Sequence, residues 1–467
     1  MLWKTTTSLI FIVHFIFAQK TPDPHVCNEN PYDYFSTKTS YFAVRSTDDI
    51  RLPRGCNVNR LWILARHGTR NPGDDSIIEI AKEGPRIQKE IIKKNSQSKG
   101  KICTLDMIDF KDWKFNLTSK DESLLTDSGF REHFELARKF KEDFPHILDI
   151  PYDPKLFKFR HTNKERTMKS AEGFAKGLFP YVKNVSMEKP LDKDPLLEFE
   201  DFCDKWKQDV DDSSDKYTER KQFLEGKEMQ SVLSNVRYYT GITEWTTNDT
   251  LVAYDICRFS RAWKPDDVSV WCTLFTVEDL KVLEYYEDLK YWYSNGYWKP
   301  VTTKMPCPLM KDLIETFEMK SYLKAKFYFA HRSTVLPFLG LLRLYKDDYP
   351  LKHSNYNETQ NRQYKTSNIG SFSANVAFAL INCPSDNDTT KKLKKYWQCT
   401  KEDGSKFRNV QVNPVTIKNL RKDIGVLWNA TLMKFVVILI THSLSQKFYI
   451  ISVFLIYCLK PFNSIIG

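Results

Sequence analysis

The chain has 467 residues, with 70 Lys and Arg against 59 Asp and Glu, a formal net charge of +11. Hydrophobic residues make up 41% and charged residues 28%, with 16 Gly and 21 Pro. Such a chain supports a sizeable packed core, which excludes collagen-like, low-complexity and wholly disordered classes, and its length suggests two or three domains or one large core with an inserted module. Without Lys4, Lys434, Lys447 and Lys460 at the two extremes, the net charge falls to +7. That mild excess favours acidic ligands without selecting nucleic acid. No zinc-finger spacing, basic heptad or RNA-binding aromatic motif accompanies it, so no nucleic-acid partner is expected.

In chain order, residues 1–18 read as a secretory signal: Lys4, the apolar run Leu9–Phe17, and Ala18-Gln19 as a cleavage point. The run is too short for an ordinary membrane span. N-x-S/T sequons begin at Asn116, Asn184, Asn248, Asn357, Asn387 and Asn429, and there are ten cysteines. Both fit an oxidising, luminal history, and most of the cysteines should pair. Nine precede Cys458, so one of them stays free unless it pairs with Cys458 or another chain. The expected location is the secretory pathway, either secreted or in the ER lumen.

Three stretches then share one pattern: an apolar run, a polar loop with His or Arg, and a helix-like segment. Leu61-Trp-Ile-Leu-Ala65 leads into Arg66-His-Gly-Thr-Arg70. Lys155–Arg160 leads into His161-Thr162, where Thr162-Asn-Lys-Glu165 has capping-box spacing for a helix reaching about Leu178. Lys326–Ala330 leads into His331, with Ser333 or Thr334 as cap of a helix over Leu336–Tyr345. Short unbroken apolar runs fit strands buried on both faces. The expected fold is α/β: a mostly parallel sheet core with flanking helices and an inserted, largely helical cap. The core comprises residues 19–185 and 321–431, and the cap residues 186–320, with helical stretches at Tyr217–Val236 and Val277–Tyr293. Residues 432–467 form an apolar tail of unassigned role, which leaves membrane association open. In such sheets ligands sit beyond the carboxyl ends of the strands, where His67, Arg70, Arg166 and His331 are expected.

Arg66-His67-Gly68-Thr69-Arg70 carries the sharpest chemistry. Two guanidiniums bind phosphate oxygens through planar forks. Gly68 admits close backbone approach. An imidazole between two cations is kept neutral and therefore nucleophilic. Arg166 and His331 would complete the cradle.

This motif resembles the signature of the histidine acid phosphatase superfamily, and more closely its multiple inositol polyphosphate phosphatase branch. Thr37–Ala43, Tyr254–Phe259 with Trp271-Cys272, Leu283–Leu289 and Ala374–Leu380 resemble that branch in order, from about residue 27 to 383. The resemblance implies an α/β histidine phosphatase-like fold and a two-step phosphomonoesterase. His67 would be the nucleophile, with Arg66, Arg70, Arg166 and His331 holding the phosphoryl oxygens. It also implies a disulfide between Cys257 and Cys272, and inositol polyphosphates or other phosphomonoesters as partners. It requires no cofactor and no metal, and no HExxH, zinc-knuckle, EF-hand, Walker or G-x-S-x-G pattern is present. One position departs from the family. Where its members carry His-Ala-Glu or His-Asp, this chain reads His331-Arg332-Ser333, so the proton-donor position holds Ser333 and the acid is absent. Three readings follow: an inositol polyphosphate phosphatase with altered or reduced activity, a non-catalytic binder of phosphorylated ligands, and a broad acid phosphatase favouring good leaving groups.

Overall fold

A computed structural model describes residues 32–382, apart from 47–49, 51, 53 and 54, together with the backbone of 435–440. The proposed signal, two of the sequons (Asn387 and Asn429) and most of the tail lie outside the described residues.

The core is a five-stranded sheet in the order β2-β3-β1-β4-β5. Its strands are β1 (Asn57–Arg66), β2 (Phe157–His161), β3 (Ala325–Ala330), β4 (Asn375–Asn382) and β5 (Phe435–Ile440). β1 pairs in parallel with β3, Leu61 opposite Ala325 and Arg66 opposite Ala330. β2 also pairs in parallel with β3. β4 runs antiparallel to β1, and β5 antiparallel to β4, so four of the five strands point one way. β5 falls in the apolar tail that the sequence left unassigned.

The unbroken apolar runs arise because both sheet faces are covered. Alternate residues Trp62 and Leu64 join one core with Tyr328 and Phe378. Leu61, Ile63 and Ala65 join another with Phe327 and Phe329. Helix α1 (Asp74–Ser96) buries Ile77, Ile80, Ile87 and Ile91 at helical spacing. Helices α2 (Asp127–Asp143) and α3 (Glu165–Leu178) cover the second sheet face through Leu136, Phe140 and Phe174. The intervening region supplies helices α4 (Lys227–Thr240), α5 (Thr247–Trp263), α6 (Val277–Asn295) and α7 (Cys307–Glu318). Their aromatic side chains pack on the first face with helix α8 (Arg332–Leu341). The helix expected over Tyr217–Val236 is two, Thr218–Glu225 and α4, interrupted at Gly226. Cys257 of α5 is joined to Cys272, and Cys203 is a free thiol. Among the described residues no helix is long and apolar enough to cross a membrane.

Two expected caps differ. The residue before α3 is Lys164, without a side-chain cap. Thr162 instead turns its hydroxyl to Thr167 Oγ1 and His331 Nε2, each at 2.9 Å. Helix α8 starts four residues earlier than expected, with His331 itself as N-cap and Thr334 at the third helical position.

Candidate active site

Parallel strands deliver their carboxyl ends to one edge, and antiparallel β4 brings its amino end to that same edge. Hydrogen bonds stitch them there: His67 N–H donates to Ala330 O (2.9 Å), Arg66 N–H to Ala374 O (2.8 Å) and Ser373 N–H to His67 O (3.1 Å). Segments separated by hundreds of residues thereby meet at His67.

His67 is buried, 4% exposed. Its Nδ1 lies 2.8 Å from the carbonyl oxygen of Gly68. A carbonyl only accepts, so Nδ1 carries the proton and Nε2 keeps a bare lone pair. Burial holds the imidazole well below its ordinary pKa, and Arg66, Arg166, Arg70 and His331 add to the effect. The His331 ring lies 5.7 Å from that of His67, centroid to centroid. Burial and the cations Arg166, Arg332 and Arg66 likewise keep His331 neutral.

Arg66 is fixed from three sides. Its Nη1 donates to Thr37 O and Gly370 O, both at 2.6 Å, and its guanidinium lies 4.5 Å from the Phe372 ring centre. Arg70 donates to Asn71 O. The Nε atoms of Arg66, Arg70, Arg166 and Arg332 are all buried without a hydrogen-bond partner. Among the described residues none of these four has a carboxylate at ion-pair distance. Burial lowers the pKa of Arg66, of Arg70 to about 10, and of Arg166, with the other guanidiniums as the next cause. Buried, mutually repelling donors without counterions form a site whose missing partner is an anion.

The sequence-predicted residues His67, His331, Arg66, Arg70 and Arg166 are thus gathered at one strand edge. Ser333 sits at the second position of α8, half-buried. Several neighbours escaped the sequence reading. Lys38 is pushed down to about 7 by burial, with Arg258 and Arg70 contributing and the Tyr291 phenol opposing. For Tyr291 burial disfavours ionisation, but Lys38, Lys290 and Arg332 outweigh it and pull the phenol below its ordinary range. Arg332 stacks 4.9 Å from the Tyr291 ring. Glu132 of α2, fully buried, accepts from Thr69 N–H (2.9 Å), Thr69 Oγ1 (2.8 Å), Ser40 Oγ (2.9 Å), Tyr41 N–H (3.1 Å) and Ser373 Oγ (3.0 Å). That one carboxylate ties three chain segments around the histidine. The acidic run of α6 is structural: Asp288 pairs with Arg362 at 2.6 Å, and Glu287 with Arg220 at 2.6 Å and Arg258 at 3.1 Å.

An α/β sheet with a neutral imidazole and unpaired guanidiniums at its strand ends defines a phosphomonoesterase of the histidine type. The chain belongs to the histidine phosphatase superfamily, branch 2, whose profile matches residues 57–397. It is 32% identical over 367 residues to multiple inositol polyphosphate phosphatase 1 of Drosophila melanogaster, covering 76% of this chain and 78% of that one. The protein of the same name from Homo sapiens is 27% identical over 400 residues, covering 79% and 81%. Among solved structures, the multiple inositol polyphosphate phosphatase of Bifidobacterium longum in its apo form has a TM-score of 0.59 at 13% identity, covering 89% of this chain and 93% of that one. The phytase from D. castellii has 0.60 at 17%, covering 76% and 75%. At those identities the likeness is one of fold.

Proposed function

We propose that the protein hydrolyses the phosphomonoesters of inositol polyphosphates through a phosphohistidine on His67. The observation that carries the chemistry is the His67 Nδ1–H bond to Gly68 O, which leaves Nε2 bare among unpaired guanidinium donors. Nε2 attacks phosphorus and forms an N–P bond while the P–O bond to the leaving oxygen breaks. Arg66, Arg70, Arg166 and His331 hold the three spread-charge oxygens, where fixed donors act most strongly. Water then attacks the phosphohistidine and releases phosphate, returning the lone pair to Nε2.

Support for a polyphosphorylated substrate comes from charge beyond one phosphate cradle. Arg332 and Lys38 both interact electrostatically with Arg70, and neither has a carboxylate at ion-pair distance among the described residues. The names of the relatives point the same way. Passage through the secretory pathway is supported by the exposure of Asn116, Asn184, Asn248 and Asn357 and by the Cys257–Cys272 bridge.

The test is phosphate release from inositol hexakisphosphate by the protein and by His67→Ala, with acid-labile phosphate trapped on the protein under mildly alkaline quench. Labelling of the parent at His67 and loss of release in the variant are expected. Undiminished release by His67→Ala would overturn the mechanism, and release from aryl phosphates alone would overturn the substrate class.

A further inference from the structure

An alkoxide leaving an inositol ring needs a proton, and a Ser hydroxyl is far too weak an acid to supply it. The segment just ahead of the cap helices brings two carboxyl groups to this place. Asp194, fully buried, is held by Arg160 through bonds of 2.8 and 2.9 Å, and accepts from Leu196 N–H and Leu197 N–H. The Thr334 hydroxyl donates to Leu197 O at 2.7 Å. The turn that follows is thereby bolted to the first turn of α8, the turn that carries Arg332 and Ser333. Phe199–Phe202 then forms one 3₁₀ turn. On it the Glu200 carboxyl meets the Ser333 hydroxyl. Its Oε2 is buried without a hydrogen-bond partner.

We propose that Glu200 is the proton donor to the leaving-group oxygen, reaching from the cap segment into the space that a longer acidic side chain at position 333 would fill. This rests on the phosphohistidine chemistry proposed for His67. In the first step the Glu200 O–H bond breaks as the leaving oxygen takes the proton and the P–O bond opens. In the second the Glu200 carboxylate takes a proton from the attacking water, which regenerates the acid.

The environment suits a neutral carboxyl. Burial pushes Glu200 up to about 7, with Asp201 and Glu198 adding to it, while its own backbone N–H and Ser333 oppose. Glu198 is the other carboxyl at hand, and it is already committed. Its Oε2 accepts from Asp194 N–H at 3.1 Å, and its Oε1 lies 3.8 Å from His331 Nε2, against the histidine and not against Ser333.

The experiment compares turnover of inositol hexakisphosphate and p-nitrophenyl phosphate in the parent, Glu200→Gln, Glu198→Gln and the double variant Glu200→Gln with Ser333→Glu. An aryl phosphate leaves as a stabilised phenolate and hardly needs the acid. Glu200→Gln should slow single-turnover phosphorylation of His67 by inositol hexakisphosphate by about 10²-fold or more, while the p-nitrophenol burst, whose leaving group hardly needs the acid, is little changed. The double variant should recover at least part of that loss. Ser333→Ala, which removes only the hydroxyl that favours the carboxylate, should move the alkaline limb of kcat upward by about half a pH unit, and this arm does not depend on Glu200→Gln folding. A parent that hydrolyses both substrates beside a Glu200→Gln that does so equally well overturns the Glu200 assignment alone. So does a selective loss in Glu198→Gln instead. A parent that hydrolyses neither, and carries no phosphate on His67, overturns the underlying reading.

Discussion

Two glycines meet where the His67 loop crosses the start of α2, and replacing one of them tests how tightly the site is held. A Cβ on Gly129 would lie 2.1 Å from Thr69 O and 2.6 Å from Thr69 N. A Cβ on Gly68 would lie 2.3 Å from Gly129 O. Ordinary contact begins near 3.4 Å, so Gly129→Ala demands that one backbone retreat by roughly 1.3 Å. The loop has little freedom to do so. Thr69 O accepts from Thr126 N–H (3.0 Å) and Thr126 Oγ1 (2.9 Å), and Thr69 N–H is bound to Glu132. Alanine in a helix is intrinsically favoured over glycine by about 1 kcal/mol. Overpacking costs about 1–3 kcal/mol, so the net destabilisation is about 0–2 kcal/mol. The catalytic effect should be larger, because a displacement of about 1 Å near the reacting groups lowers rates by about 10²-fold. The assay pairs kcat for phosphate release with the urea midpoint. Gly73→Ala is the control, since nothing lies within 4 Å of a Cβ there. Gly129→Ala with parental kcat and a raised midpoint would refute the reasoning.

Other outcomes follow from single groups. Glu132→Ala leaves the buried N–H groups of Thr69 and Tyr41 without acceptors and should cost about 2–6 kcal/mol, read as a lower urea midpoint. His133, fully buried with Nε2 3.0 Å from Arg66 O, is lowered to about 3 by burial. The unfolded chain therefore takes up the proton first. Its contribution is complete above about pH 6.5 and falls by about 1.4 kcal/mol per unit down to about pH 3. That is about 2 kcal/mol at pH 5, and a urea midpoint in His133→Gln that depends on pH as steeply as the parent's counts against it. Replacing Cys257 and Cys272 by Ser opens a loop of sequence separation 15 and should cost about 3 kcal/mol. An unchanged midpoint in that double variant would deny the bridge a stabilising role.

The sheet was legible where chemistry is local. Leu61–Ala65 and Phe327–Ala330 announce strands through unbroken apolar runs, because both faces are covered, and the loops after them place His67 and His331. The edge strand β2 instead alternates, with Phe157 and Phe159 buried and Lys158 exposed. Strand direction was not legible: Ala374–Leu380 reads as a core strand, but its antiparallel sense depends on where the chain re-enters. Thr162 has the spacing of a cap, yet its hydroxyl is taken up by Thr167 Oγ1 and His331 Nε2, partners that only the fold brings to it. Lys38 and Glu200 were missed because each reaches the site from a short 3₁₀ turn whose sequence carries no periodicity, and only the closed fold brings Glu200 to Ser333. Glu132 shares the buried stripe of α2 with Leu136 and Phe140, but nothing local shows that Thr69, Ser40 and Ser373 meet it there.

The central place of β1 has a consequence for how the molecule is made. The partner of Leu61 on one side is Ala325 and on the other Ala379, both more than 250 residues later. At synthesis rates of about 5–20 residues per second, β1 waits on the order of ten seconds to a minute before either neighbour exists. During that interval a strand that ends buried from Arg60 to Arg66 has both edges open, a state prone to mispairing. The histidine loop at its end stays equally unbraced, since the bonds from His67 to Ala330 and from Ser373 to His67 close only with those late strands. A nascent chain shorter than about 375 residues therefore holds the whole Arg66–Arg70 motif without the geometry that arms it. Reactivity appears all at once, as the last strands dock.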